Sequence, residues 1–170
     1  MPRRQALILC VSLALPPSAF ADGGDCTCTP ASTTINFGAY DVLGGAPLDG
    51  AGSFSVACRN DDNRRASIAF VAKLATAPAR ALATIGEPDR LSYQVYVDSA
   101  RTQPWGDGTA GTFTINGALT VPARDTVTVG PISYYGRITP GGQDGAATFP
   151  GALPTPYGQA LTISVTCVAN

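Results

Sequence analysis

The sequence predicts an all-β domain, folded as a sandwich with Greek-key connections, and three observations lead to this prediction. Short runs of alternating apolar and polar residues recur along the chain, and such alternation places one set of side chains on one face of a strand. Turn-forming residues separate these runs, with 19 Gly and 14 Pro in 170 residues. About seven short strands at this spacing are typical of a β-sandwich.

The first two predicted strands are residues 34–37 and 53–58, and cysteines accompany both. In the second strand the alternation runs from Phe54 to Cys58, so these side chains share one face. Cys28 precedes the first strand, and a disulfide from it to Cys58 would pin the two strands together. The loop-entropy model gives such a bridge about 3 to 4 kcal/mol of stabilisation.

Six further strands are predicted along the rest of the chain. They are residues 66–74, 91–98, 112–115, 126–129, 133–138 and 161–167. Pro131 separates two of them, because proline cannot donate a hydrogen bond to a ladder. Residues 75–85 are rich in Ala, but Pro78 argues against a long helix there. Turn residues cluster at 60–63 and 105–108, which are expected to be turns.

The N-terminus, residues 1–21, is predicted to be a signal peptide that is cleaved after Ala21. Two arginines precede an apolar run, and small residues precede the cleavage point. The apolar run is about half of the ~20 residues that span a bilayer, which argues against a membrane anchor. We therefore expect an exported protein whose mature part, residues 22–170, forms a single domain.

The mature domain carries few charges. Without Arg3 and Arg4, nine basic residues remain against twelve acidic ones, so the net charge changes from −1 to −3. This balance does not indicate binding to nucleic acid or to an anionic membrane surface. No second apolar segment of membrane length follows the first, so we expect no transmembrane segment.

Four cysteines remain after cleavage: Cys26, Cys28, Cys58 and Cys167. In an oxidising compartment an even number of cysteines predicts disulfides, and four cysteines allow three pairings. Choosing Cys28 with Cys58 for one bridge leaves Cys26 and Cys167. Zinc is the alternative, but Cys-Thr-Cys is an unusual ligand spacing and the chain has no histidine. We expect disulfides, and neither a metal nor a cofactor.

Several short motifs follow one another in order along nearly the whole mature chain. They are Cys28, Phe37-Gly38-Ala39-Tyr40, Leu48-Asp49, Gly52, Val56-Ala57-Cys58, Arg80-Ala81-Leu82, residues 91–98, Trp105-Gly106-Asp107-Gly108, Tyr135-Gly136-Arg137-Ile138 and residues 157–165. Together they resemble the spore coat protein U domain family, whose members include subunits of archaic chaperone–usher pili and secreted bacterial coat proteins. Gln159 departs from the family pattern, in which Asp is common at that position.

The resemblance implies an immunoglobulin-like sandwich that lacks its final strand and is completed by a strand from another protein. The implied partners are a periplasmic chaperone, an outer-membrane usher and other pilus subunits. The implied route leads through the periplasm to the cell surface, a fimbrium or the medium. Exposed strand edges invite strand addition, so Leu161, Ile163 and Val165 of the last strand are expected to line the donor-strand groove. The alternative is that they are ordinary core residues of a complete sheet.

Two further expectations concern the termini of the domain. A polymerising pilin of this kind carries a donor strand before its first cysteine, but only residues 22–25 lie between the cleavage point and Cys26. These Gly and Asp residues cannot form a strand with alternating apolar side chains, so a subunit at the distal tip, or one outside any fibre, is expected. A bridge from Cys26 to Cys167 needs Cα atoms within about 7 Å, whereas strands that flank an inserted strand lie ~9 to 10 Å apart. That bridge is expected only at a rim of the groove.

An enzyme is not expected. The chain has no histidine, which excludes Ser-His-Asp and Cys-His catalysis. Asp98, Asp107 and Asp144 could be paired carboxylates or calcium ligands, but Asp is a normal turn former at such positions. Trp105 and the nearby tyrosines could form a sugar-binding face, although they are more often core residues or cross-strand pairs. The alternative functions are a self-complete secreted coat or sugar-binding protein and, without positive support, a hydrolase.

A last candidate surface is the apolar, Pro-rich segment 147–156. An exposed apolar loop adheres to hydrophobic surfaces without a specific receptor, so Phe149 and Leu153 are candidate adhesive residues. The alternative is a loop that packs over one end of the sandwich.

Overall fold

Strands make up most of the described part of the chain, as the alternating side chains predict. The computed structural model describes residues 26–31, 33–38, 46–75, 80–83, 90–144 and 157–169. The strands are β1 Cys26–Pro30, β2 Thr33–Gly38, β3 Leu48–Asn60, β4 Ala66–Leu74, β5 Ala81–Ala83, β6 Arg90–Tyr96, β7 Ile115–Val121, β8 Thr126–Asp144, β9 Tyr157–Leu161 and β10 Ile163–Ala169. None of the described residues is helical, and no helix that could span a membrane is found among them.

The larger sheet has seven strands, and every pair in it is antiparallel. Its order is β5-β6-β8-β3-β2-β9, and β1 pairs with β3 on the same side as β2. The central strand is β3, whose 13 residues pair with β8 on one side and with β1 and β2 on the other. Cys28 lies opposite Cys58 in this ladder, and this position brings the two cysteines within reach of each other.

The smaller sheet has three antiparallel strands in the order β10-β4-β7. Its central strand, β4, alternates buried residues with more exposed ones from Ala66 to Leu74. One face of the sheet is therefore turned to the core and the other to solvent. The two antiparallel sheets form the all-β sandwich that the sequence predicts.

Aromatic side chains fill the centre of the core. Phe54, Trp105 and Tyr134 are buried, and their ring centroids lie 5.4 to 6.4 Å apart. The Tyr134 hydroxyl donates to the Thr34 carbonyl at 2.9 Å and lies 2.9 Å from the Thr33 hydroxyl. The polar end of a buried ring is thus satisfied, and the contact fixes β2 against the core.

The predicted interruption at Pro131 is wrong, because β8 runs through this proline as one strand. The register between β3 and β8 shifts between Phe54 and Val56, which leaves Gly130 and Pro131 as a bulge opposite Ser55. Gly130 has a φ of 146°, a conformation that glycine adopts readily. A bulge accommodates a proline because the ladder hydrogen bonds are already interrupted there.

Other elements also differ from the prediction. A strand was expected over residues 112–115, whereas β7 begins where that prediction ends and runs to Val121. The predicted last strand, residues 161–167, is divided: β9 ends at Leu161 in the larger sheet, and β10 begins at Ile163 in the smaller one. β1 was not predicted as a strand, and it becomes one by pairing with β3, a tertiary effect that local sequence does not reveal.

Candidate strand-accepting edge

One edge of the smaller sheet is formed by β10. It pairs with β4 from Ile163 opposite Leu74 to Ala169 opposite Ile68. Within the described ranges, no strand pairs with its other side. β10 contains none of the charged residues or prolines by which proteins usually prevent strand addition at an edge.

Backbone groups on the free side of β10 belong to alternate residues. The Ala75 N–H donates to the Thr162 carbonyl at 3.2 Å, so these residues form a hydrogen-bonded pair of the antiparallel ladder. Hydrogen-bonded and non-hydrogen-bonded pairs alternate along such a ladder. The N–H and C=O groups of Ile163, Val165 and Cys167 therefore point away from β4.

The strand next to the free side of β10 is β1, which belongs to the larger sheet. The Ala31 N–H donates to the Ser55 carbonyl at 2.8 Å, and the Cα atoms of Cys28 and Cys58 are 4.1 Å apart, as in a non-hydrogen-bonded pair. The N–H and C=O groups of Cys28 consequently point away from β3. β1 and β10 contact each other, although no ladder joins them.

Inner side chains of β10 are less buried than those of β4. Ile163 and Val165 are half-buried and pack against the core. Their partners in β4, Leu74 and Ala72, are fully buried. Leu161, at the end of β9, is also buried. Of the three side chains predicted for the groove, the two on β10 are thus incompletely covered by this chain.

A disulfide joins the two strands that border this edge. Cys26 of β1 is bridged to Cys167 of β10, with Cα atoms 6.4 Å apart. The second disulfide, Cys28–Cys58, lies within the larger sheet. The structure thus contains the pairing expected for each of the four cysteines, and β1 and β10 converge at the Cys26–Cys167 bridge.

The end of the β10 edge that lies away from the Cys26–Cys167 bridge is closed by the hydrogen bonds between β2 and β9. β9 pairs antiparallel with β2, beginning with Leu161 opposite Thr33. The chain then passes to the smaller sheet at Thr162. The edge is therefore free only between Ile163 and the bridge at Cys167.

Two of the aspartates considered as catalytic or calcium-binding groups are held within their own turns. The N–H groups of Thr102 and Gln103 donate to Asp98, and Thr109 donates to Asp107 through its N–H and hydroxyl. Desolvation raises the pKa of Asp98, but these hydrogen bonds outweigh it and keep the pKa below its ordinary value. Hydrogen bonds from Thr109 likewise lower the pKa of Asp107. The described residues contain no cluster of three or more His, Cys, Asp or Glu side chains that could hold a metal.

The aromatic residues do not form one exposed face. Trp105, Tyr93 and Tyr134 are buried in the core. Tyr96 and Tyr135 lie opposite each other on β6 and β8 and are half-buried. This arrangement favours cross-strand packing over a sugar-binding platform.

A polar cluster on the outer face of the larger sheet was missed by the sequence reasoning. Arg137 donates two hydrogen bonds to the Asp49 carboxylate, at 2.7 and 3.0 Å, and Arg101 approaches the same carboxylate at 3.3 Å. The hydrogen bond from Arg137 lowers the pKa of Asp49 against the effect of desolvation, and the charge of Arg101 lowers it further. Asp49 and Arg137 are 88 residues apart, so only the register of β3 with β8 brings them together.

Several predicted features lie outside the described residues. They are the signal peptide, the loop with Phe149 and Leu153, and the side chain of Asp144. The predictions made for them stay predictions.

A family model described as the Spore Coat Protein U domain matches residues 20–155. The chain belongs to this family. The match includes β1 to β8 and ends before β9 and β10. No curated protein matches the chain. At the family level, a coat protein U domain indicates a pilus- or coat-type surface protein, with a structural rather than an enzymatic role.

Proposed function

We propose that this coat protein U domain is an exported structural or adhesive subunit of a bacterial surface assembly, either a chaperone–usher pilus or a cell-surface coat. In this role it receives a strand from another protein at the β10 edge and catalyses no reaction. The added strand would lie between β1 and β10 and would complete the sandwich.

The free side of β10 is the feature that supports this proposal most directly. Ile163 and Val165 present backbone N–H and C=O groups to a side where no described strand pairs with them. The side chains of the same two residues are only half-buried. An added strand with alternating apolar residues would satisfy the backbone groups and cover the apolar side chains.

The proposed partners act in sequence on this edge. A periplasmic chaperone would hold it first, an outer-membrane usher would receive the complex, and a neighbouring subunit would then replace the chaperone. Family membership and the predicted signal peptide support this route. A tip position is supported by the sequence alone, since the Gly and Asp residues 22–25 are unsuited to form a donor strand.

Thermal unfolding of the mature protein tests the proposal, both in the oxidised form and in a Cys26→Ser/Cys167→Ser variant that lacks the bridge at this edge. Synthetic peptides from the N-termini of candidate partner subunits should raise the Tm in a concentration-dependent way, because they bind only the folded state. Ile163→Asp should abolish this shift, since it places a charge where the apolar side chains of the peptide would pack. Val168→Asp is the matched control, because Val168 is on the same strand but faces solvent with 60% exposure. A Tm that no peptide changes in either form, or an equal shift in the Ile163→Asp and Val168→Asp variants, would contradict the proposal.

A self-complete secreted coat protein is the second candidate. Two contacts favour it: the ladder between β2 and β9 and the Cys26–Cys167 bridge already attach the last strands to the start of the domain. Such a protein would be stable alone and indifferent to every donor peptide in the same experiment.

A further inference from the structure

The Cys26–Cys167 bridge occupies space that an inserted strand would need. Neighbouring strands lie about 4.8 Å apart, so two strands that flank a third are about 9.6 Å apart. The Cα atoms of Cys26 and Cys167 are 6.4 Å apart, and a disulfide does not form when this distance exceeds about 7 Å. At this position the bridge and an inserted strand therefore exclude each other.

The free edge of the oxidised chain is short. It is bounded by the β2–β9 ladder, which ends at Leu161, and by the bridge at Cys167. Only residues 163–166 of β10 lie between these limits. Strands in proteins are usually about five to six residues long, so a donor strand of ordinary length would have to extend past Cys167.

The two disulfides differ in their access to solvent. Cys26 and Cys167 are half-buried at the edge of the sandwich, whereas Cys28 and Cys58 are buried in the core. Thiol–disulfide exchange requires a thiolate to reach a sulfur atom of the bridge. A reductant would therefore act on Cys26–Cys167 and leave Cys28–Cys58 intact.

We propose that the Cys26–Cys167 disulfide is a reducible clasp, which keeps the edge closed when oxidised and permits insertion of a full strand when reduced. This inference rests on the strand-accepting function proposed above. The natural reductant would be a dithiol protein. One of its thiolates attacks a sulfur of the bridge, the S–S bond breaks, and a mixed disulfide forms. Its second thiol then releases the remaining cysteine. The domain gains two electrons and two protons as two thiols, and the reductant leaves as a disulfide.

The first test compares peptide affinity in the presence and absence of the clasp. The probe is a synthetic peptide of about eight residues in which Val and Thr alternate, with Lys at both ends. The Cys26→Ser/Cys167→Ser double variant should bind this peptide about tenfold or more tightly than the oxidised protein. Asp49→Asn is the control, because it weakens the hydrogen bonds between Asp49 and Arg137 on the outer face of the larger sheet but leaves the clasp closed, and its affinity should equal that of the oxidised protein.

The second test uses the unmodified protein and does not depend on the folding of a variant. The protein is equilibrated in a glutathione redox buffer, and its free thiols are alkylated and mapped. By linkage, a peptide that binds the reduced form more tightly than the oxidised form must favour reduction. Alkylation of Cys26 and Cys167 should therefore rise with peptide concentration, while Cys28 and Cys58 stay unmodified.

Each result decides between the clasp and the function on which it rests. Tighter binding by the double variant together with peptide-dependent alkylation of Cys26 supports both. Equal binding by the oxidised protein and the double variant overturns the clasp but leaves strand acceptance standing. Binding by neither form, in the presence of a folded sandwich, overturns strand acceptance and the clasp with it.

Discussion

The two sides of the sandwich are closed by different means. On one side, the Trp105 N–H donates to the Val95 carbonyl of β6 at 2.8 Å, and the Leu74 N–H of β4 donates to the Gly106 carbonyl at 3.1 Å. Residues 105 and 106 thus connect the two sheets through their backbone. On the other side, a disulfide joins β1 to β10, and the described residues show no backbone hydrogen bond between these two strands.

This difference supports the β10 side as the proposed place for a partner strand. On the Trp105 side the chain itself already supplies a backbone connection between the sheets, and the Trp105 indole N–H donates to the Ala72 carbonyl at 3.2 Å. On the β10 side, no described strand pairs with the outward backbone groups of Ile163 and Val165, and the side chains of these two residues are half-buried. On this side the Cys26–Cys167 disulfide, the proposed reducible clasp, joins the two sheets. Breaking each side in turn should therefore have different consequences.

Trp105→Ala should have the largest effect, because it removes a buried ring and the anchor of the self-closed side. Truncation of a buried Trp costs about 3 to 5 kcal/mol, so the free energy of unfolding should fall by about 4 kcal/mol. Urea unfolding followed by circular dichroism measures this change. A loss below about 1 kcal/mol would mean that Trp105 does not hold this side together.

Removal of the clasp, by Cys26→Ser with Cys167→Ser, should lower the free energy of unfolding by about 3 kcal/mol, which is in the middle of the range that disulfides usually contribute. The two cysteines are 141 residues apart. The same urea unfolding measurement applies. Unlike Trp105→Ala, this variant should also gain affinity for an alternating peptide. An affinity gain in both variants would show general loosening, and the comparison between the two sides would then fail.

Tyr134→Phe should have a smaller effect, about 1 kcal/mol, because the ring stays and only the hydroxyl is lost. That hydroxyl donates to the Thr34 carbonyl and lies next to the Thr33 hydroxyl, so its loss loosens β2. The free energy of unfolding should be measured for Tyr134→Phe, for Thr33→Val and for the double variant. The two losses should not add, which would reveal coupling between the two sites. Strict additivity would argue that the hydroxyl–hydroxyl contact contributes nothing.

The smallest effect concerns the pH dependence of stability. Asp49 has a lowered pKa in the folded state, caused first by the hydrogen bond from Arg137. Its contribution is therefore fully present above the unfolded pKa of about 3.9 and is lost as the pH falls through the folded pKa. The chain has no histidine, so stability should be nearly constant between about pH 5 and pH 8.

The Asp49→Asn variant tests whether Asp49 causes the loss of stability at low pH. Its Tm should decline less steeply than that of the unmodified protein when the pH is lowered from 5 to below 4. Thermal unfolding across this pH series measures both slopes. Identical slopes would assign the acid sensitivity to other carboxylates.

Much of the fold could be predicted from the sequence because alternation reports which face of a strand is buried. The predicted inward residues Phe54, Val56 and Cys58 are all buried in β3. Alternation says nothing about which strands pair. It could not show that β1 pairs with β3, or that the last strand changes sheets at Thr162. It also could not reveal the bulge that carries Pro131 through β8.

The site was predicted less completely than the fold. The alternation of apolar and polar residues predicted that Ile163 and Val165 point inward from the last strand. The structure places both at the free edge. The ladder between β2 and β9, which limits this edge, depends on contacts between Thr33 and Leu161. These residues are far apart in sequence, so no local pattern could have indicated their pairing.

Amide hydrogen exchange along β10 is the most direct measurement of strand acceptance. In the peptide-free protein, the amides of Ser164 and Thr166 should exchange slowly, because they face β4, whereas those of Ile163 and Val165 should exchange rapidly. In the Cys26→Ser/Cys167→Ser variant, which lacks the clasp, addition of an alternating donor peptide should protect Ile163 and Val165 and remove the two-residue pattern. If Ile163 and Val165 are already protected without peptide, or stay unprotected in its presence, the β10 edge does not accept a strand.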